Sequence, residues 1–165
     1  MIAIQGGAWE KIKPYLEREC TVIDEVGALF PDTIYMENTI SIDITEERPA
    51  IITPVEIRNK NIIIKTWALW DTGATKTGIS KRIASRLQLE PTGKKEEILT
   101  ATDMISVDCA CLEVKISNTT YRPIEVNIVP DQPSNMVIGL DVICLGQFEI
   151  KRTEKGACMT FKVEW

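Results

Sequence analysis

Ile62-Ile-Ile-Lys-Thr-Trp-Ala-Leu-Trp70, running directly into Asp71-Thr-Gly-Ala-Thr75, is the stretch on which the reading of this chain turns. Its first part is apolar and rich in β-branched and aromatic side chains, the composition of a buried strand. Its second part is small and polar, the composition of a turn. The sequence therefore places a carboxylate, Asp71, where a buried strand ends and the backbone must change direction.

Working outward, Val55-Glu-Ile-Arg58 and the 62–70 run flank Asn59-Lys-Asn61, a good hairpin tip. Downstream, Ser80 is an N-cap candidate for a short amphipathic helix with Ile83 and Leu87 on one face, followed by Pro91-Thr-Gly93. Residues 96–116 read as two strands joined near Ala101-Thr-Asp-Met-Ile105, and Tyr121 to Val129 as another, ended by the Pro130-Asp-Gln-Pro133 turn. Met136 to Gly146 is apolar with two glycines, a strand leading into a short helix closed by Gly146. Phe148–Arg152 and Met159–Glu164 alternate on either side of a Thr-Glu-Lys-Gly turn and form a final hairpin. Upstream, Ile40-Ser-Ile-Asp-Ile-Thr45 alternates as a half-buried strand, Glu46 to Ala50 is a polar break, and residues 8–20 suggest a short helix weakened by Pro14. Short strands, frequent turns and one or two short helices predict an all-β, barrel-like domain.

The bulk composition narrows the chemistry. With 165 residues, 44% hydrophobic and 26% charged, the chain has the balance of a soluble globular protein and is long enough to bury a core without staples. No run approaches a membrane span, and the N-terminus has no basic n-region or apolar h-region, so a cytoplasmic protein is expected. The net charge of −5 argues against nucleic acid as a partner. It is concentrated in residues 1–50, which hold 4 basic and 10 acidic side chains. The five cysteines, Cys20, Cys109, Cys111, Cys144 and Cys158, are odd in number and are expected to be buried free thiols rather than disulfides or metal ligands. There is no histidine, which removes Ser-His-Asp and Cys-His mechanisms and histidine-based zinc sites. Hydrolytic chemistry in this chain must rest on carboxylates, Lys, Tyr or a carboxylate-held metal.

Two segments taken together resemble a known family. Ala68-Leu-Trp-Asp71-Thr-Gly-Ala-Thr75 resembles the active-site motif of the retropepsin-like aspartic proteases. Val137-Ile-Gly-Leu-Asp141-Val-Ile143 resembles the family's downstream Ile/Val-Ile-Gly-x-Asp segment, which packs against the active-site loop. Gly146-Gln-Phe-Glu-Ile150 and Met159-Thr-Phe-Lys-Val163 look like the closing hairpin of non-viral, prokaryotic members. The resemblance covers residues 51–165, and residues 1–50 are left as an N-terminal extension: an added strand and helix, a dimerisation arm or a pro-segment.

The resemblance implies a closed retropepsin-like barrel, paired as a two-fold homodimer, that hydrolyses peptide bonds without a cofactor or metal. It assigns Asp71, Thr72 and Gly73 to catalysis. Asp71 is the catalytic carboxylate, Thr72 bonds across the shared axis, and Gly73 supplies an unhindered N–H. Asp103 and Asp141 lack the strand-Asp-Thr-Gly context, so the second carboxylate is expected from Asp71 of another copy. A flap is expected at residues 98–106, where Thr102-Asp103-Met104 stands in place of the usual tip glycine. Ala74, Val137 and Ile138 are expected to line the cleft, with Ala101, Thr102 and Asp103 closing over substrate. Two other readings stay open: a dimeric scaffold that binds peptide without cutting it, and a carboxylate metal site at Asp71 with Asp103 or Asp141.

Overall fold

Strand formation follows the β-branched runs. The computed structural model describes residues 34–165 apart from Arg48, Ala101 and Pro133; the helix expected at residues 8–20 and Cys20 lie outside the described residues. The elements run β1 (Ile34–Met36), β2 (Thr39–Ile44), β3 (Ile52–Asn59), β4 (Ile62–Trp70), β5 (Gly78–Ser80), α1 (Lys81–Arg86), β6 (Pro91–Leu99), β7 (Met104–Lys115), β8 (Arg122–Val129), β9 (Met136–Ile138), α2 (Leu140–Ile143), β10 (Gly146–Thr153) and β11 (Gly156–Val163).

Seven strands make one sheet in the order β3-β4-β9-β5-β8-β7-β6, and a further β3–β7 pairing closes six of them into a barrel. Closure is possible because β7 is long. Its first half pairs with β6, and its last residues reach β3 through Glu56↔Lys115, Ile57↔Val114 and Arg58↔Glu113. Arg58 reinforces the seam by donating two hydrogen bonds to the Glu113 carboxylate, at 2.8 and 2.9 Å. Pairing is mostly antiparallel, but β4–β9 and β5–β8 are parallel. Barrel closure also leaves fewer unpaired edges.

A second sheet, β1-β2-β11-β10, covers one side. β2 is the strand foreseen at 40–45; it pairs with β11 through Ile40↔Phe161 and Ile42↔Met159. All four of these side chains are buried in the same hydrophobic cluster as Ile57, Ile64, Ile79, Leu112, Val114, Val126 and Ile138. Burying a Trp or Phe of roughly 200 Å² at about 25 cal/mol/Å² contributes about 5 kcal/mol before entropy is charged. Trp67, Trp70 and Phe161 are the largest of the buried side chains and contribute on that scale.

Several local expectations hold. The β3–β4 hairpin turns at Lys60, whose φ of 53° is left-handed. Ser80 caps α1, its hydroxyl accepting from the Ile83 N–H at 3.3 Å. Gly146 behaves differently from its expected helix-closing role. The short helix α2 ends at Cys144, and Gly146 instead opens β10. A Cβ there would lie 2.4 Å from the Lys162 carbonyl oxygen and 2.7 Å from the Phe161 ring, so the glycine is demanded by close packing of β10 on β11. The thiols also divide: Cys109 is buried, Cys158 is half-buried, and Cys111 and Cys144 are exposed.

Candidate active site

Asp71 continues the parallel β4–β9 ladder by one residue. Its N–H donates to the Ile138 carbonyl at 2.9 Å, just beyond the Trp70↔Ile138 pair. Its side chain is 5% exposed, and Oδ1 accepts the Gly73 N–H at 2.8 Å. The chain then turns, the Ala74 N–H donating to the Asp71 carbonyl at 3.1 Å. The carboxylate is thereby fixed from two sides, its backbone by a strand and one oxygen by a loop N–H. Trp70 points the other way. Its indole N–H donates to Thr53 Oγ1 at 2.8 Å, and its ring stacks on Phe148 and meets Phe161 edge-on. It anchors the end of the strand in the core between the two sheets.

The loop from Asp71 to Thr77 is held from behind by the second motif. The Leu140 N–H donates to the Ala74 carbonyl at 2.8 Å and the Asp141 N–H to the Thr75 carbonyl at 3.3 Å. Asp141 Oδ1 accepts from the Thr77 N–H at 2.9 Å, the Thr77 hydroxyl at 2.7 Å and the Val142 N–H at 3.0 Å. The same Thr77 hydroxyl oxygen accepts the Gly139 N–H at 3.1 Å. Gly139 has to be glycine: a Cβ there would sit 2.6 Å from the Lys76 carbonyl carbon. Asp141 is therefore a structural clasp, and this oxygen is already committed to three donors.

A β6–β7 hairpin stands where the flap was expected, in register Leu99↔Met104 and Ile98↔Ile105. The absent glycine is replaced by a threonine-centred turn. The Thr100 N–H donates to the Asp103 carbonyl at 2.8 Å, and the Thr100 hydroxyl both donates to that carbonyl at 2.9 Å and accepts the Asp103 N–H at 3.0 Å. The side chain that makes the turn is that of Thr100. Thr102 and Asp103 are exposed at the tip, while Ala101 is outside the described residues.

Asp71, Thr72, Gly73 and Ala74 thus share one loop, with Thr72 and Gly73 exposed and Ala74 half-buried. Val137, on the neighbouring β9, is half-buried, whereas the Ile138 side chain is fully buried in the core and meets the site only through its carbonyl. Leu99 and Met104, 74% and 63% exposed, form an apolar pair at the flap that the sequence reading passed over. Their signal was two large apolar residues immediately flanking a polar turn.

A cluster of charge lies beside this loop. Lys76 donates to Glu96 at 2.9 Å and to Glu125, and Lys94 reaches the same oxygens of Glu96 and Glu125 at 2.8 Å each. Hydrogen bonds from Lys94 and then Lys76 pull the Glu96 carboxyl down to about 2, and those from Lys76 and Lys94 lower Glu125. Glu96, Glu125 and Cys109 have ligand atoms within 4.8 Å of one another, a spacing a metal could use. The two ammonium groups already neutralise the carboxylates, and burial pushes the Cys109 thiol up, away from the thiolate a metal needs. Charges of the Lys94–Glu97 run are thus engaged at long range, Glu96 with Lys76 20 residues earlier and Lys94 with Glu125 31 residues later.

The sequence profile of the family described as Aspartyl protease matches residues 53–142, and the chain belongs to that family. No curated protein matches the chain. Among solved structures, the chain is similar to a retropepsin-like aspartic protease from Rickettsia conorii, at TM-score 0.56 and 16% identity over 79% of this chain and 95% of that one. The fold is thus the retropepsin-like closed barrel with two short helices. Looser similarity extends to EIAV protease complexed with the inhibitor HBY-793 (TM-score 0.45, 17% identity, 62% of this chain and 92% of that one). It also extends to the retroviral protease-like domain of Ddi1 from Leishmania major (0.42, 18%, 74% and 98%). Among the described residues, no helix is long and apolar enough to cross a membrane.

Proposed function

We propose that the chain is an aspartic endopeptidase active as a two-fold homodimer, each subunit contributing Asp71. The observation that carries this reading is the placement of Asp71 at the end of a buried strand, its backbone N–H donating to the Ile138 carbonyl and its carboxylate accepting the Gly73 N–H. Two such carboxylates brought together about an axis cannot both ionise, so they share one proton. One draws a proton from a water that attacks the scissile carbonyl, and the other donates a proton to the carbonyl oxygen; the roles then exchange as the amine leaves. Thr72, exposed beside Asp71, is assigned the contact across the axis, and Gly73 the N–H that holds the carboxylate.

Substrate contacts are assigned to Ala74 and Val137 in the floor and to Ala101, Thr102, Asp103, Leu99 and Met104 in the flap. Ile138, expected in the cleft wall, is assigned to orienting Asp71 through its carbonyl. The apolar flap pair favours extended peptides with hydrophobic residues beside the scissile bond.

The test is digestion of a peptide library at acid and neutral pH by wild type and Asp71→Asn. The amide keeps the shape but cannot share the proton. Cleavage by wild type and none by the folded variant supports the proposal. Equal cleavage by both sinks it, and binding without cleavage by both leaves the scaffold reading.

A further inference from the structure

The flap strand β6 has weak backbone anchorage. Among the described residues it is the outermost strand of its sheet and pairs with β7 alone. That pairing is interrupted by a register shift between Pro91 and Lys95, where Gly93 adopts a left-handed φ of 86°. A strand joined on one side only, with an irregularity at its base, is free to pivot unless something else holds it.

Lys76 supplies that hold. Its backbone belongs to the catalytic loop and is pressed against Gly139, so it cannot shift without displacing the residues next to Asp71. Its side chain is 17% exposed and ends between Glu96 on β6 and Glu125 on β8. Lys94 completes an alternating ring of two ammonium and two carboxylate groups. An isolated exposed pair contributes little, but here each carboxylate oxygen accepts from two lysines and one lysine is largely sequestered from water. We propose that Lys76 is a positioning residue that ties the flap hairpin to the catalytic loop through Glu96 and Glu125, setting the height of the flap over Asp71.

The ring suits acid conditions. The groups that face it are Lys76 from the loop, Lys94 and Glu96 from β6, Cys109 from β7, and Glu125 and Asn127 from β8. Burial draws the Lys76 ammonium down, yet its hydrogen bonds to Glu125 and Glu96 outweigh this and raise it. Glu96 is held down to about 2, Glu125 is lowered in the same direction, and burial pushes the Cys109 thiol up, so Glu96 keeps its charge in acid until the pH approaches 2.

This proposal rests on the reading of β6–β7 as a flap over Asp71, so the experiment has an arm that needs no catalysis. Hydrogen exchange is followed in wild type, Lys76→Met, Lys76→Arg and Glu96→Gln. Peptides covering residues 94–106 should exchange about tenfold faster in Lys76→Met and Glu96→Gln, be restored by Lys76→Arg, and leave β10–β11 unchanged. On a cleaved peptide, Lys76→Met should raise KM by about tenfold with kcat altered far less. Unchanged exchange in the flap peptides, or an equal rise across the whole molecule, would overturn the proposal. If wild type cleaves no peptide, the endopeptidase reading fails while the exchange arm still decides the role of Lys76.

Discussion

Replacing Gly139 by alanine should move the loop that follows Asp71. The added Cβ would lie 2.6 Å from the Lys76 carbonyl carbon, 2.8 Å from its oxygen and 2.9 Å from the Ala74 oxygen, all backbone atoms. Ordinary contact begins near 3.4 Å, so β9 and the loop must separate by roughly 0.8 Å. Overpacking of this kind costs about 1–3 kcal/mol. The same shift is felt at Asp71, whose N–H is held by the residue preceding Gly139. Misplacement on the order of 1 Å can lower turnover by about a hundredfold. Gly78→Ala is the control, because its Cβ comes closer than ordinary contact only to the Val129 Cγ1, at 3.3 Å, a side-chain methyl that can give way, and its nearest backbone atom is 3.8 Å away. Urea denaturation and kcat/KM on one peptide are measured for both variants. Gly139→Ala should lose stability and most of its activity, and Gly78→Ala little of either. A Gly139→Ala protein with wild-type stability and turnover would refute the argument that backbone contact at this glycine sets the loop.

Asp141→Ala should destabilise the fold by about 3 kcal/mol, since charge-assisted bonds contribute about 1.5–3 each and the buried Thr77 N–H is left unpaired; the melting temperature should fall by about 6–12 °C. Asp141→Asn, which keeps an acceptor oxygen, should recover part of this, and equal losses in the two variants would contradict the clasp. If the proposed two-fold dimer forms the site, specific activity should fall on dilution as the dimer dissociates, tracked by sedimentation in parallel, whereas a fully active monomer would overturn that proposal. Glu96 is lowered in the folded chain to about 2 from its ordinary 4.5, so its contribution to stability is complete above about pH 4.5 and is lost as pH falls toward 2. The difference in urea midpoint between wild type and Glu96→Gln should therefore shrink from pH 5 to pH 2, and a constant difference would show that the ring adds no charge-dependent stability.

The strands were legible because their residues carry local information. Ile62–Trp70 is mostly β-branched and aromatic, Ser80 offers an oxygen to the Ile83 N–H three residues on, and the final hairpin alternates on both sides of its turn. Asp71 was legible for the same reason, since a carboxylate between an apolar run and a small-residue turn is a local pattern. What eluded the sequence was set by distant partners. Lys94 and Glu96 look like a solvated run until β8 places Glu125 beside them. Gly146 resembles a helix stop until the Phe161 ring is seen to need its missing side chain. Ile138 sits next to the cleft in sequence terms, yet its side chain faces the core across β9. At the flap tip the expectation of a glycine overlooked a threonine able to make the same turn with its hydroxyl.

The pairing of β2 with β11 also orders events during translation. Ile40 finds its partner Phe161 only after 121 further residues have been made, a wait of roughly 6–24 s at ~5–20 residues per second. The barrel strands, complete at Ile138, are available earlier and can close first. Through that interval the Trp70 ring lacks the Phe148 and Phe161 rings that later cover it. A nascent or prematurely terminated product therefore carries the Asp-Thr-Gly carboxylate together with an uncovered aromatic surface, the kind of exposure that chaperones and degradation machinery act on. β11 thus works as a seal, covering a surface that the barrel alone leaves open.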